Sequence, residues 1–146
     1  MRRAHYPPDR NQVLAHLTLF RQLPPSAGAE LNRRLAIYAA TPAPKAAIVG
    51  VMDLGGGTAL RVDSEELEDM RHDLALSLHG LLTPQDAGPW SPHITIQNKV
   101  EPREAKALQA RMKAGFERRP LAIRALATWR YLNGPWQPIR DYPFRG

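Results

Sequence analysis

Two short stretches restrict the fold of this chain more than anything else in it. His16-Leu17-Thr18-Leu19 and His93-Ile94-Thr95-Ile96 each alternate a polar residue with an aliphatic one. A β-strand repeats its side-chain direction every second residue. Histidine and threonine therefore leave one face of each strand, roughly 7 Å apart along it, while the aliphatic pair leaves the other face for a core. With five histidines and six threonines in 146 residues, a threonine two positions after a given histidine arises by chance about once in twenty-five. Two such strands facing each other offer two imidazoles and two hydroxyls to one ligand. A bare polar outer face would also accept threonine, but the equivalent placement of the two stretches in the two halves of the chain argues for a shared site.

A chain of 146 residues is long enough to bury a core without disulfides or structural metal, as a single domain or two small lobes. It contains no cysteine, which excludes disulfide scaffolds, thiolate zinc sites and cysteine nucleophiles. Met1-Arg2-Arg3 leads into His5-Tyr6-Pro7-Pro8 rather than an apolar run, so no signal peptide is read. No apolar stretch approaches membrane-spanning length. These features predict a soluble, cytoplasmic protein with no membrane partner. The net charge is +6, and from Arg103 onward ten basic residues stand against Glu104, Glu117 and Asp141. Such a basic half suits either an anionic partner, RNA or a phosphorylated small molecule, or a plain solvated face.

Residues 1–12 read as irregular, with Pro7-Pro8 against any helix, and Val13–Phe20 as a strand. Ser26 is the expected N-cap of a helix over residues 27–39, with Leu31, Leu35 and Tyr38 on its inner side. Ala46–Asp53 and Thr58–Val62 read as strands joined by the turn Leu54-Gly55-Gly56-Gly57; no Lys-Ser/Thr follows these glycines, so they are not a phosphate loop. A capping box from Asp63 to Glu66 starts the next helix, which carries a core stripe of Leu67, Met70, Leu74, Leu78 and Leu81. His72 and His79 lie seven apart with no third ligand between them and read as surface or boundary residues. Residues 82–89 read as a loop, Ser91 or His93 through Lys99 as a strand, and Pro102 as the start of a helix with Ala105, Leu108, Met112 and Phe116 inward. A long alternating run from Leu121 to Leu132, a turn at Asn133-Gly134-Pro135 and a closing edge strand from Trp136 to Phe144 complete the order. Apart from the helix at 63–82, each half then holds a strand, a helix and a hairpin, and each first strand carries His-x-Thr. The pattern predicts an α+β fold of antiparallel sheets with helices on one face, and suggests an internal duplication.

The paired motifs, 77 residues apart, resemble the signature of the two-histidine (2H) phosphoesterase superfamily. Phe20, the glycine hairpin leading into Ala59-Leu60-Arg61-Val62, and Trp129-Arg130-Tyr131-Leu132-Asn133-Gly134-Pro135-Trp136 resemble its 2′-5′ RNA ligase-like branch. The resemblance covers most of the chain from about His5. It implies one domain over residues 1–146, bilobed and pseudo-symmetric, with two antiparallel sheets facing across a cleft and helices outside. It also implies metal-independent chemistry, without a cofactor, on 2′,3′-cyclic phosphates or 2′-5′ linkages. By position, His16 and His93 become the acid–base pair, and Thr18 and Thr95 bind phosphate oxygens. No carboxylate or third histidine is placed to complete a metal site.

The chemistry suits these residues in its own right. Opening a cyclic phosphodiester needs a base for the attacking water and an acid for the leaving ribose oxygen. Histidine, with an ordinary pKa of about 6.5, serves as either near neutrality. Hydroxyl donors stabilise charge on the non-bridging oxygens. The expected activity is therefore an RNA 2′,3′-cyclic phosphodiesterase, with 2′-5′ joining as its reverse. Its rivals are a 2H activity on a small cyclic nucleotide and a non-catalytic RNA-binding module.

Two departures from the family accompany this. Relatives carry a strand and a helix before the first motif, whereas Arg2–Asn11 resembles only the end of that helix and its loop. The expectation is either that Met1 is internal to a longer reading frame or that this form lacks its first strand, which would leave a sheet edge uncovered. Some relatives also place an arginine five residues after the second histidine, where this chain has Asn98. Arg21 holds the corresponding place after the first motif, and Lys99, Arg124 or Arg130 are alternative sources of positive charge. Phe20, Tyr131 and Trp136 are aromatic enough to stack a base, although core packing is the more ordinary role for each.

Overall fold

A computed structural model describes residues 15–131 and 136–145. Two expectations, the irregular start with the first two residues of the Val13–Phe20 strand and the turn at Asn133-Gly134-Pro135, fall outside those residues. The elements are α1 (Gly28–Ala39), β1 (Ala46–Asp53), β2 (Thr58–Asp63), α2 (Glu65–Ser77), α3 (Pro84–Ala87), β3 (His93–Gln97), α4 (Pro102–Ala114), β4 (Arg119–Leu121), β5 (Ala125–Tyr131) and β6 (Trp136–Pro143). The architecture is α+β, with a four-stranded and a two-stranded sheet. Among the described residues no helix is long and apolar enough to cross a membrane. The chain divides into two compact units that interleave along the sequence.

The first unit takes the residues up to Thr18, Ala47–Asp63 and Ser91–Pro120. Its sheet has the order β3-β2-β1-β4, with β2 antiparallel to both β1 and β3. The β1–β2 turn forms where glycine was expected. Gly55 has φ +82°, which costs an L side chain, and Leu54 N–H donates to the Gly57 carbonyl at 3.0 Å. Behind the sheet, α4 begins at Pro102 and buries Ala105, Leu108 and Gln109. Gln109 Nε2 donates to Asp53 Oδ1 and to the Gly57 carbonyl, both at 3.0 Å. Fully buried Thr58 donates to Gln97 Oε1 at 2.9 Å. These bonds satisfy polar groups that would otherwise be costly to bury.

The second unit takes Leu19–Ala46, Ser64–Trp90 and Leu121–Gly146. Leu35, Ala39, Leu74, Leu126 and Tyr142 form its core, and Leu31, Tyr38 and Met70 pack against them. The expected inner faces of α1 and α2 are therefore the ones buried, except Leu81, which lies beyond the end of α2 and is 37% exposed. His72 and His79 are exposed. A second anchor is Arg71, which donates to the carbonyls of Leu19 at 2.9 Å and Asp86 at 2.7 Å. Its guanidinium lies 4.5 Å from the Phe20 ring centroid. The buried Asp86 carboxylate accepts from the backbone N–H of Arg21 and Gln22. Burial, only partly opposed by Asp86, pushes the Arg71 pKa down.

Several local expectations change, each for a physical reason. Ser26 does not cap α1, because Pro25–Ala27 is already a 3₁₀ turn with Ala27 N–H on the Pro24 carbonyl, and the helix continues from it without a side-chain cap. The cap of α2 is Ser64 rather than Asp63, since Asp63 is still paired to Ala47 in β2. Ser64 Oγ accepts from Leu67 N–H at 3.1 Å and donates to the Lys45 carbonyl at 2.6 Å. The loop at 82–89 contains α3, started by Pro84 and capped by Thr83. The alternating run from Leu121 is a strand only from Ala125: Leu121 ends β4 in the first sheet, residues 122–124 belong to no strand, and β5 pairs with β6. The described part of Val13–Phe20 makes a single bridge, at Leu17, because the chain passes to the second unit after Thr18.

Candidate functional site

All four residues singled out by the repeated motif lie in the first unit. Leu17 forms an antiparallel bridge with Ile94, on the side of β3 away from β2. Carried one residue in each direction, this register sets His16 beside Thr95 and Thr18 beside His93. Directly opposite side chains in such a pair stand about 5 Å apart. The two histidines thus occupy one diagonal of a four-residue patch and the two threonines the other. Alternation turns Leu17 and Ile94 to the opposite face. His16 and Thr18 are exposed, and His93 and Thr95 are half-buried.

The neighbouring backbone orients the second histidine. His93 Nδ1 lies 2.7 Å from the Ser91 carbonyl oxygen. A carbonyl only accepts, so Nδ1 carries the hydrogen and Nε2 is the nitrogen that can take or give a proton. Sequence alternation could not reveal this bond, because it depends on the bend of the chain entering β3.

The pairing of β3 with β2 extends the patch. Arg61 stands opposite His93, and Ala59 opposite Thr95. Sequence reading touched Arg61 only as part of the stretch after the glycine hairpin. Its place beside His93 follows from the β2–β3 register, which pairs strands some thirty residues apart and has no local signature.

The other candidates scatter. Asn98 and Lys99 follow β3 in the first unit, and Asn98 Oδ1 accepts from the Lys99 N–H at 3.0 Å. Arg21, Arg124 and Arg130 belong to the second unit. Phe20 packs against that unit's core; Trp136, at the start of β6, is 43% exposed, and the Tyr131 side chain lies outside the described residues. A cavity of about 440 Å³ in the second unit is lined by Glu68, Asp69, Arg71, His72, Asp86 and Trp90, among others. It contains none of the motif residues. Among the described residues no group of three histidine or acidic side chains is disposed to hold a metal ion.

The search of curated proteins found no match. The model of the 2′-5′ RNA ligase superfamily matches residues 1–135, a span that includes both motifs and every strand of the four-stranded sheet. The chain belongs to the 2′-5′ RNA ligase superfamily, a membership that supports a 2H phosphoesterase or ligase-like activity.

Proposed function

We propose that this protein opens 2′,3′-cyclic phosphate ends of RNA by two-histidine acid–base catalysis, with 2′-5′ joining as the reverse reaction. The observation that carries the reading is the Leu17–Ile94 bridge, which makes strand neighbours of two motifs distant in sequence. A phosphate above the patch has a histidine on either side along one diagonal and a threonine hydroxyl on either side along the other.

One imidazole takes a proton from water as the water oxygen bonds to phosphorus. The bond from phosphorus to one ribose oxygen breaks, and the other imidazole, protonated, gives that oxygen its proton. The product is a phosphomonoester beside a free hydroxyl. Thr18 and Thr95 donate to the non-bridging oxygens, where negative charge accumulates. For His93 the working atom is Nε2, since Nδ1 is occupied by the Ser91 carbonyl. The roles of the two rings exchange in the joining direction.

The test uses a short RNA ending in a 2′,3′-cyclic phosphate, with chromatographic separation of the opened product and no added metal. The parent protein is expected to turn it over with a bell-shaped dependence of kcat/KM on pH. His16→Ala and His93→Ala should each lower kcat by about 10²–10⁴-fold. Unchanged turnover in both variants would sink the reading. A cyclic mononucleotide opened in preference to the RNA would redirect it to a small cyclic nucleotide. RNA binding with no hydrolysis by the parent would leave a binding module.

A further inference from the structure

We infer that Arg61 is the cation that holds the phosphate at this patch, an assignment that rests on the two-histidine reading of the site. Arg61 is the direct cross-strand neighbour of His93, and opposite residues on one sheet face are close enough to share a ligand. The burial pattern of β2 fixes its direction. Leu60 and Val62 are buried while Arg61 and Asp63 are exposed, and Arg61 is paired with His93, so its side chain leaves on the face that carries His93 and Thr95, where the small Ala59 is buried.

Its surroundings leave that charge available. On the far side from His93, Arg61 is paired to Gly50, where a Cβ would meet only the Arg61 Cβ, at 4.0 Å. No side chain from β1 covers the arginine at that position. Asp63, two residues on and on the same face, is the natural carboxylate partner, but its Oδ2 lies 3.6 Å from Arg118 Nη2. Among the described residues the Arg61 side chain makes no ion pair or hydrogen bond. A guanidinium presents paired N–H donors that match two oxygens of a phosphate, and unlike a threonine hydroxyl it adds full positive charge. The position five residues after His93 holds the uncharged Asn98, and Arg61 supplies positive charge from the neighbouring strand.

The experiment measures binding and turnover separately. Inorganic phosphate is titrated into the parent protein, Arg61→Ala, Arg61→Lys and, as a control on the helical face, Arg111→Ala. The heat of binding and the ring resonances of His16 and His93 are followed. Arg61→Ala should weaken phosphate by about tenfold or more, and Arg61→Lys should recover part of that loss. Arg111→Ala should bind as the parent does, with all four proteins sharing the same thermal midpoint. Equal phosphate affinity in the parent and Arg61→Ala, or no phosphate binding by the parent, overturns the assignment.

Turnover of the cyclic-phosphate RNA by the same proteins then separates the two ideas. Phosphate bound through Arg61 by a protein that opens no cyclic phosphate upholds the assignment and defeats the proposed reaction. A protein that opens cyclic phosphate with kcat and KM unaltered in Arg61→Ala upholds the reaction and defeats the assignment.

Discussion

Glu30 shows how one side chain can fix the packing of two helices. Its carboxylate accepts from Arg33 Nε at 2.9 Å and Arg34 Nε at 3.1 Å on α1, and from Ser77 Oγ on α2. The Arg33 hydrogen bond, then those of Ser77 and Arg34, hold its pKa down to about 2 against an ordinary value of 4.5. A carboxyl held low in the folded protein stabilises it fully above the unfolded value. That contribution fades as pH falls from about 4.5 to about 2, where the folded group also takes a proton. Glu30→Gln should therefore lower the urea midpoint at pH 6 and flatten its decline below pH 4.5. Parallel midpoint-against-pH curves for parent and variant would show that the network contributes nothing. The side chain is 34% exposed, so the expected effect is modest and should shrink with added salt. Tyr38, about two turns further along α1, donates to Asp73, and burial together with this carboxylate pushes its pKa up to about 12.

At the scale of elements, the β1–β2 turn does more than reverse the chain. A Cβ at Gly57 would lie 2.2 Å from the Gln97 carbonyl oxygen and 3.1 Å from the Asn98 Cα. Both are backbone atoms at the end of β3, so no side-chain rotation can relieve the clash. Gly57→Ala should cost about 3 kcal/mol by forcing β2 and β3 apart and disturbing the bonds of Thr58 and Gln109. Gly28→Ala makes the comparison, because a Cβ there meets nothing within 4 Å and alanine favours a helix. Urea midpoints of the two variants check this, and equal midpoints would refute the close approach as the reason for glycine. The sequence shows that a turn with positive φ belongs here; it does not show that the third glycine is needed by a strand forty residues later. The helices are legible for a related reason. Their 3.6-residue stripes depend on local spacing alone, so Leu35 and Leu74 are found directly. The cap at Ser64 is not, because which of two adjacent polar residues caps depends on where β2 stops pairing.

For the whole molecule, the two units cross between each other five times, since six segments alternate between them. Nothing local reveals this. Leu121–Leu132 reads as one strand by alternation, yet Leu121 ends β4 in one sheet and Ala125 begins β5 in the other, with no strand between them. The candidate site is legible as residue types, because His-x-Thr recurs, but its geometry depends on which strands become neighbours. Interleaving has a consequence for fragments. Residues 91–146 hold β3, α4, β4, β5 and β6 but lack β1 and β2, which lie between β3 and β4 in the sheet. They also lack Leu35, Ala39 and Leu74, against which Leu126 and Tyr142 pack. The remaining β5–β6 hairpin cannot be stable by itself, as an isolated two-stranded ribbon rarely is. The fragment 91–146 alone should show no cooperative urea transition by circular dichroism, and mixing it with fragment 1–90 should restore one. A cooperative transition in 91–146 by itself would mean that its strands find a core without the central strands, contrary to the order β3-β2-β1-β4. The same mixture offers a stricter reading through the site. Leu17 and β2 come from one fragment and β3 from the other, so recovery of phosphate binding on mixing requires that His93 be flanked on both sides as in the intact chain.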